Sequence, residues 1–329
     1  MSARYELIGL TASPYSMKVR ALLRYRRIPF DWIVEMPQLT GRKVEVSPVL
    51  LPVLRHPMGR DMTDSTEIAG ILEREIINGR EVVPPGDDAA FLNALIEDMA
   101  DEWLTKAMFW YRWSTPEGAD FAMRWLGGEI GATVPEAMRP VLPATVRKRQ
   151  EDRMPMVGAT AENGPVIEAG YRAVLAAMNG LLEERGYLFG SRPALADFAL
   201  FGQLSQLAFD PVSERIMMAE GEAVAHWLRR IDDASGLEGA WEDDLTVLRP
   251  LLELVGGDYL PFLEANAAAL DAEQNMLEVE LASGPYRQMP FRWQAKCLDR
   301  LRELHAGADL NPAIREMLEQ TGCDRVLQG

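Results

Sequence analysis

The stretch from residue 7 to residue 20 constrains this chain most, because an apolar strand, Leu7-Ile8-Gly9-Leu10, gives way to a helix within three residues. Ser13 suits the N-cap, since its side-chain oxygen accepts from the free N–H groups of the first turn. Pro14 suits the first helical position, where no N–H is needed. Unpaired donors and the positive end of the helix dipole then favour a carboxylate, a phosphate or a thiolate at that start. Helix initiation alone also accounts for Ser-Pro, so the role of this start depends on the rest of the chain.

After a helix to about residue 27, Ile28-Pro29 breaks the pattern and Phe30-Asp31-Trp32-Ile33-Val34-Glu35 restores a β-type stretch, completing a βαβ unit. Residues 36–49 contain Pro37, Gly41 and Pro48 and form no long helix. Leu50-Leu51-Pro52-Val53-Leu54-Arg55 reads as a strand, and its proline puts it at a sheet edge or starts it at Pro52. Pro57-Met58-Gly59 makes a turn, residues 60–63 return as a hairpin partner, and Asp64-Ser65-Thr66-Glu67 has the form of a capping box. A helix to about residue 77 comes next, burying Ile68, Ile71 and Leu72.

A βαβ unit, two strands and a helix, in that order, make a thioredoxin-like fold. Ser13-Pro14-Tyr15-Ser16 stands where glutaredoxins carry Cys-Pro-Tyr-Cys, and Pro52-Val53-Leu54 resembles their cis-proline strand. Asp64-Ser65-Thr66-Glu67-Ile68 looks like the glutathione-binding helix start of glutathione S-transferases. Over about 80 residues the chain therefore resembles the N-terminal domain of a cytosolic glutathione S-transferase. The resemblance implies a cis Leu51–Pro52 bond, with Val53 pairing through its main chain with the cysteinyl part of glutathione. It implies that Ser65 and the helix-start N–H groups hold the γ-glutamyl carboxylate and that Asp64 faces the γ-glutamyl ammonium. Asp64 and Glu67 acting only as helix caps is the plain alternative. Gln38, Arg42 and Lys43 are available for the glycyl carboxylate, with nothing to choose among them.

Ser13 then carries the chemistry. A free thiol has a pKa of about 8.5, so little of it is thiolate at neutral pH. One hydrogen bond to the charged form, worth roughly 1.5–3 kcal/mol, lowers that value by about one or two units. Tyr15 and Ser16 are the other donors at this start, and both count as substrate-binding candidates. With serine at both cysteine positions, glutaredoxin-type thiol exchange is excluded. Only Cys297 and Cys323 occur, far from this region, so neither a disulfide framework nor a metal-type pair is visible. His56, His226 and His305 add no ligand cluster and no hydrolase triad, so no metal is expected.

A chain of 329 residues implies two domains. Its 50 acidic against 34 basic residues give a net charge of −16, which repels nucleic acid and anionic membrane surfaces. The N-terminus has no apolar signal region, and charges break every long apolar stretch, so a cytoplasmic protein is expected. Arg20, Arg24 and Arg27 share one helix face, either solvated or turned to an acidic second domain.

Pro84-Pro85-Gly86 marks a linker over residues 81–88, and everything beyond reads as helical. Residues 89–113 carry Trp103, Phe109, Trp110, Tyr111 and Trp113, either core or the wall of an electrophile pocket. Prolines between 135 and 165 interrupt the next section, which folds over the cleft or forms a variable loop. Residues 186–198 resemble the second-domain signature of the same family, in which Ser or Thr caps a helix three residues before an Asp. Asp197 is present, but Ala194 holds the cap position, a loss of about 1 kcal/mol. Beyond about residue 210, helical patterns recur at 222–231, 243–254, 258–281, 291–305 and 312–320. This extension completes the helical domain, covers the cleft or forms a subunit interface.

The expectation is an α/β thioredoxin-like domain over residues 1–80, a linker over 81–88 and an all-α domain over 89–329. The resemblance implies a homodimer that takes glutathione as co-substrate and transfers its thiolate to a small apolar electrophile. The alternative is a glutathione-binding or scaffold protein without catalysis.

Overall fold

The computed structural model describes residues 4–329. Strands β1 (Tyr5–Gly9) and β2 (Phe30–Val34) run parallel, in register from Tyr5 opposite Phe30 to Gly9 opposite Val34, with α1 (Pro14–Tyr25) crossing between them. A single turn, α2 (Pro37–Thr40), comes next and ends at Gly41, whose φ of 75° suits a residue without Cβ. Strand β3 (Val53–Arg55) pairs antiparallel with β1, and β4 (Asp61–Met62) pairs antiparallel with β3, giving the order β2-β1-β3-β4. Helix α3 (Ser65–Glu75) closes this part. Pro52 stands just before β3, so an interior strand loses no ladder bond to it, and Leu51–Pro52 is cis. Leu7, Leu22, Leu54, Ile68 and Leu72 are wholly buried between sheet and helices, each contributing roughly 1.5–3 kcal/mol.

This topology fixes the place of the site. Strand β1 ends, β3 begins and β4 ends at the same edge of the sheet. The start of α1, the Leu51–Pro52 bond and the start of α3 therefore emerge side by side.

The helical part runs through α4 (Asp87–Glu102), α5 (Leu104–Trp113), α6 (Pro116–Gly131), α7 (Leu142–Arg153), α8 (Gly164–Glu184), α9 (Leu195–Leu207), α10 (Pro211–Glu220) and α11 (Glu222–Asp232). Helix α9 is buried almost all round, as a helix with no polar face must be, and packs on α1 and α4. Gly202 permits that approach, because a Cβ there would lie 2.6 Å from the Pro14 carbonyl oxygen. At its start the Asp197 carboxylate accepts from Ala194 N–H at 2.8 Å and Leu188 N–H at 3.0 Å, while Ala194 offers no acceptor in return. The arginines of α1 are paired with acids of the helical part and the segment after it: Arg20 and Arg24 with Asp232, and Arg27 with Glu238.

The extension contains α12 (Arg249–Leu254), a π-helical turn (Val255–Tyr259), α13 (Leu260–Asp271), β5 (Leu277–Leu281), β6 (Gly284–Gln288), α14 (Arg292–Gly307), α15 (Pro312–Gln320) and α16 (Cys323–Leu327). The helical pattern expected over 258–281 thus stops at Asp271, and a β-hairpin takes its place. Leu277-Glu278-Val279-Glu280-Leu281 alternates with period two, while residues 277 and 281 alone also satisfy a helical spacing. Helix α14 packs against α4, and α12 against α8. Among the described residues no helix is long and apolar enough to cross a membrane.

Candidate functional site

Ser13 is the N-cap of α1, with φ −108° and ψ 116°, and its Oγ accepts from the Ser16 N–H at 3.3 Å. Among the described residues its own hydroxyl proton has no acceptor, so a donor stands open at the positive end of a twelve-residue helix. The turn before it is held from the helical side. Arg112 donates to the Ala12 carbonyl at 3.1 Å and Gln206 to the Thr11 carbonyl at 3.0 Å. Glu129 accepts from the Thr11 N–H at 3.0 Å and from its hydroxyl, and Trp125 Nε1–H donates to the same Oγ1 at 2.9 Å. Arg112 is itself fixed by Asp210 at 2.8 Å, both buried, and burial pushes the Asp210 carboxyl up although Arg112 opposes it.

The neighbouring candidates separate. Ser16 is wholly buried and its Oγ has no partner, because it lies under Gly9, where even an added Cβ would stand 2.4 Å from it. It was expected at the substrate and instead faces the core. Tyr15 turns its hydroxyl to the Asp101 carbonyl at 3.0 Å, and burial first, then Glu102 and Asp101, hold its pKa well above the usual value. It is a neutral phenol that joins α1 to α4.

Val53 is buried in β3 opposite Ile8. The main chain left outside the ladder is that of Leu51: among the described residues its N–H and C=O have no hydrogen-bond partner. Sequence reasoning passed over Leu51, whose one signal was its place before Pro52. Thr63 Oγ1 donates to the Leu50 carbonyl at 3.0 Å, tying this segment to the start of α3. There Asp64 caps the helix, accepting from the Thr66 N–H at 3.0 Å and the Glu67 N–H at 3.4 Å. Its φ of 70° is an uncommon conformation for a residue with a side chain, of the kind that collects at ligand sites. The Ser65 hydroxyl has no partner among the described residues. Gln38 is committed to the Val49 carbonyl at 2.7 Å and Arg42 to Glu35 at 2.7 Å, while Lys43 is exposed.

Behind these starts lies a buried charge network. Lys18 Nζ donates to Glu97 and Asp101, both at 2.6 Å. Burial works against the charged lysine, but Asp101 and Glu97 outweigh it and its pKa rises. One cation cannot hold two anions equally. Burial pushes Asp101 up to about 7, whereas Glu97, helped by Lys18 and Arg300, is lowered despite burial.

The aromatic side chains of residues 89–113 divide as well. Trp103 packs on Phe262 and Tyr286 of the extension, and Tyr111 on Tyr171, so these rings are core. The rings beside the α1 turn are Trp125, Phe121 and Phe209, the last 54% exposed. Phe121 and Trp125 are four residues apart on α6, a spacing that would have marked them. Leu126, Ile130 and Leu142 pack with Leu10, Ala12 and half-buried Leu51, so residues 116–153 fold over this edge of the sheet.

Residues 7–76 match the family model described as glutathione S-transferase, N-terminal domain, and residues 148–230 match that of the C-terminal domain. A glutathione S-transferase from Methylobacterium radiotolerans, solved with glutathione sulfonate, is similar at 23% identity over 73% of this chain and 98% of its own, with a TM-score of 0.45. Another from Methylobacillus flagellatus, solved with glutathione bound, shares 21% identity over 70% of this chain and 96% of its own, TM-score 0.43. A third from Rhodospirillum rubrum shares 17% over 75% of this chain and 91% of its own, TM-score 0.44. No curated protein matches the sequence. The two domain models together match less than half of the chain, and residues 231–329 lie outside both.

Proposed function

We propose that this chain, whose residues 7–76 and 148–230 match the N- and C-terminal domain models of glutathione S-transferases, is a glutathione transferase whose Ser13 hydroxyl stabilises the thiolate of bound glutathione. The observation that carries the reading is the uncommitted hydroxyl proton of Ser13 at the start of α1, on the sheet edge it shares with Leu51 and Ser65. The residues there suit each part of the tripeptide. Leu51 offers a free N–H and C=O to a cysteinyl backbone, with Pro52 and Val53 setting the start of the strand beside it. Ser65 offers its N–H and hydroxyl to the γ-glutamyl carboxylate, and the second oxygen of Asp64 is open to the γ-glutamyl ammonium.

Ser13 acts by donation and forms no covalent bond to substrate. The thiol proton passes to water, and the hydroxyl and helix dipole hold the negative sulfur in place. Bound glutathione supplies the thiolate that forms a C–S bond with the electrophile, as a leaving group departs from an aryl halide or as the nitrogen of an isothiocyanate takes up a proton from water. Trp125, Phe121 and Phe209 line the side of the α1 turn where a small apolar acceptor would pack.

Calorimetric titration with glutathione, and then turnover of an aryl halide or an isothiocyanate, tests the reading. Saturable binding with turnover is the expected result. Absence of binding at millimolar glutathione would overturn the whole assignment, and binding without turnover of any electrophile would leave a glutathione-binding protein in place of an enzyme.

A further inference from the structure

A groove of about 480 Å3 lies between α3, α4 and α14. Ala69, Val82, Phe91 and Leu304 supply its apolar lining, and Arg300 stands in it beside Thr66. Arg300 comes from α14, in the part of the chain outside both domain models. Its Nη2 reaches Glu97 Oε2 at 3.4 Å. The other oxygen of Glu97 accepts from Lys18 at 2.6 Å and from the Thr66 hydroxyl, so one carboxylate ties the extension to α1 and to the second residue of α3. Only one of the five N–H donors of Arg300 is used among the described residues, and its side chain is 39% exposed.

The start of α3, taken alone, is short of donors. Asp64 already occupies the N–H groups of Thr66 and Glu67, which leaves the N–H and hydroxyl of Ser65. A carboxylate presents about four acceptor sites, more than these two can fill. Burial opposes the guanidinium charge of Arg300, but Glu97 and Asp98 outweigh it and raise its pKa.

We propose that Arg300 is a substrate-binding residue whose free guanidinium edge meets the γ-glutamyl α-carboxylate at the start of α3, so that the extension completes the site within one chain. This rests on the glutathione reading above. An Arg–carboxylate fork gives both charge and direction, which a lone serine does not.

The test is calorimetry on the full-length protein with two ligands, glutathione and its analogue amidated at the γ-glutamyl α-carboxylate. The wild type is expected to bind glutathione at least about tenfold more tightly than the amide, and Arg300→Met to lose about tenfold for glutathione while binding the amide unchanged. Arg300→Lys restores part of the preference. The ratio between the two ligands is the readout that a packing defect would not move. Arg300→Met keeping the wild-type ratio would overturn the assignment of Arg300 while leaving the glutathione reading intact. Should Arg300→Met fail to fold, the Arg300→Lys ratio decides in its place, and equal binding of both ligands by the wild type overturns the proposal outright. A wild type that binds no glutathione brings down the functional reading and this one together.

Discussion

Ser13 and Ser16 sit three residues apart, yet only one of them has a hydroxyl proton to give outward. Ser13→Ala is therefore expected to raise the pKa of the bound thiol by about one or two units, since a hydrogen bond to a charged group is worth roughly 1.5–3 kcal/mol. Thiolate absorbance measured against pH with glutathione bound checks this, and an unshifted titration removes Ser13 from the mechanism. Ser16→Ala deletes a buried hydroxyl that has no partner; it should leave that titration unchanged and alter stability by no more than about 1 kcal/mol, in either direction. The two serines look alike in the sequence. The N-cap role of Ser13 was legible because Pro14 comes directly after it, whereas the fate of Ser16 depended on Gly9 lying above it, a contact between strand and helix that no local pattern encodes.

At the scale of elements, the turn before α1 and the start of α9 show how the helical part holds the site. Arg112 joins Asp210, Gln206 and the Ala12 carbonyl, so it braces α5 against the loop that aims Ser13. Removing one partner leaves a buried charge unpaired, and Arg112→Met is expected to destabilise the fold by about 3–5 kcal/mol in urea denaturation. A loss under about 1 kcal/mol would show that the pair contributes little. Helix α9 has half of a capping box: Asp197 accepts from Ala194 N–H, and nothing returns the bond. Ala194→Ser supplies the missing acceptor and should stabilise by about 1 kcal/mol; a lower melting temperature would mean that this buried position has no room for the oxygen. The missing cap was legible at Ala194 because the signature around Asp197 has a fixed spacing. The Arg112–Asp210 pair was not, because its partners lie 98 residues apart.

The whole molecule is a four-stranded α/β part and a helical part with a long extension folded over α4, and the surface so covered is strongly charged. The sequence revealed the helices of that extension through their apolar period but not the hairpin of β5 and β6, nor that Gln288 at its end reaches Lys106 at 2.7 Å. Lys106 is wholly buried, also donates to the Val157 carbonyl at 3.2 Å, and has Phe262, Trp103 and Tyr286 around its Nζ. Burial pushes it from 10.5 down to about 7, with Glu102 opposing. Burial acts the other way on the nearby acids, raising Asp98 to about 6, where Tyr259 opposes it, and Asp101 and Glu102 to about 7. Proton counts in the two states set the signs. Between about pH 4 and 7 the folded chain holds more protons on these acids than the unfolded one, so stability falls as pH rises. Above about pH 7 the unfolded chain holds the proton on Lys106 that the folded chain has shed, so stability rises again until about pH 9, where the buried thiols of Cys297 and Cys323, pushed up by burial, keep protons that the unfolded chain loses. Unfolding free energies measured in urea should pass through a minimum near neutrality. Lys106→Met replaces the amine with an apolar group of similar length in an aromatic surround; it should remove the rising limb and be most stabilising at or below neutral pH, by a few kcal/mol. Parallel pH curves for wild type and variant would mean that Lys106 keeps an ordinary pKa in the fold, and that its aromatic surround and the two oxygens it meets hold the charge as well as water does.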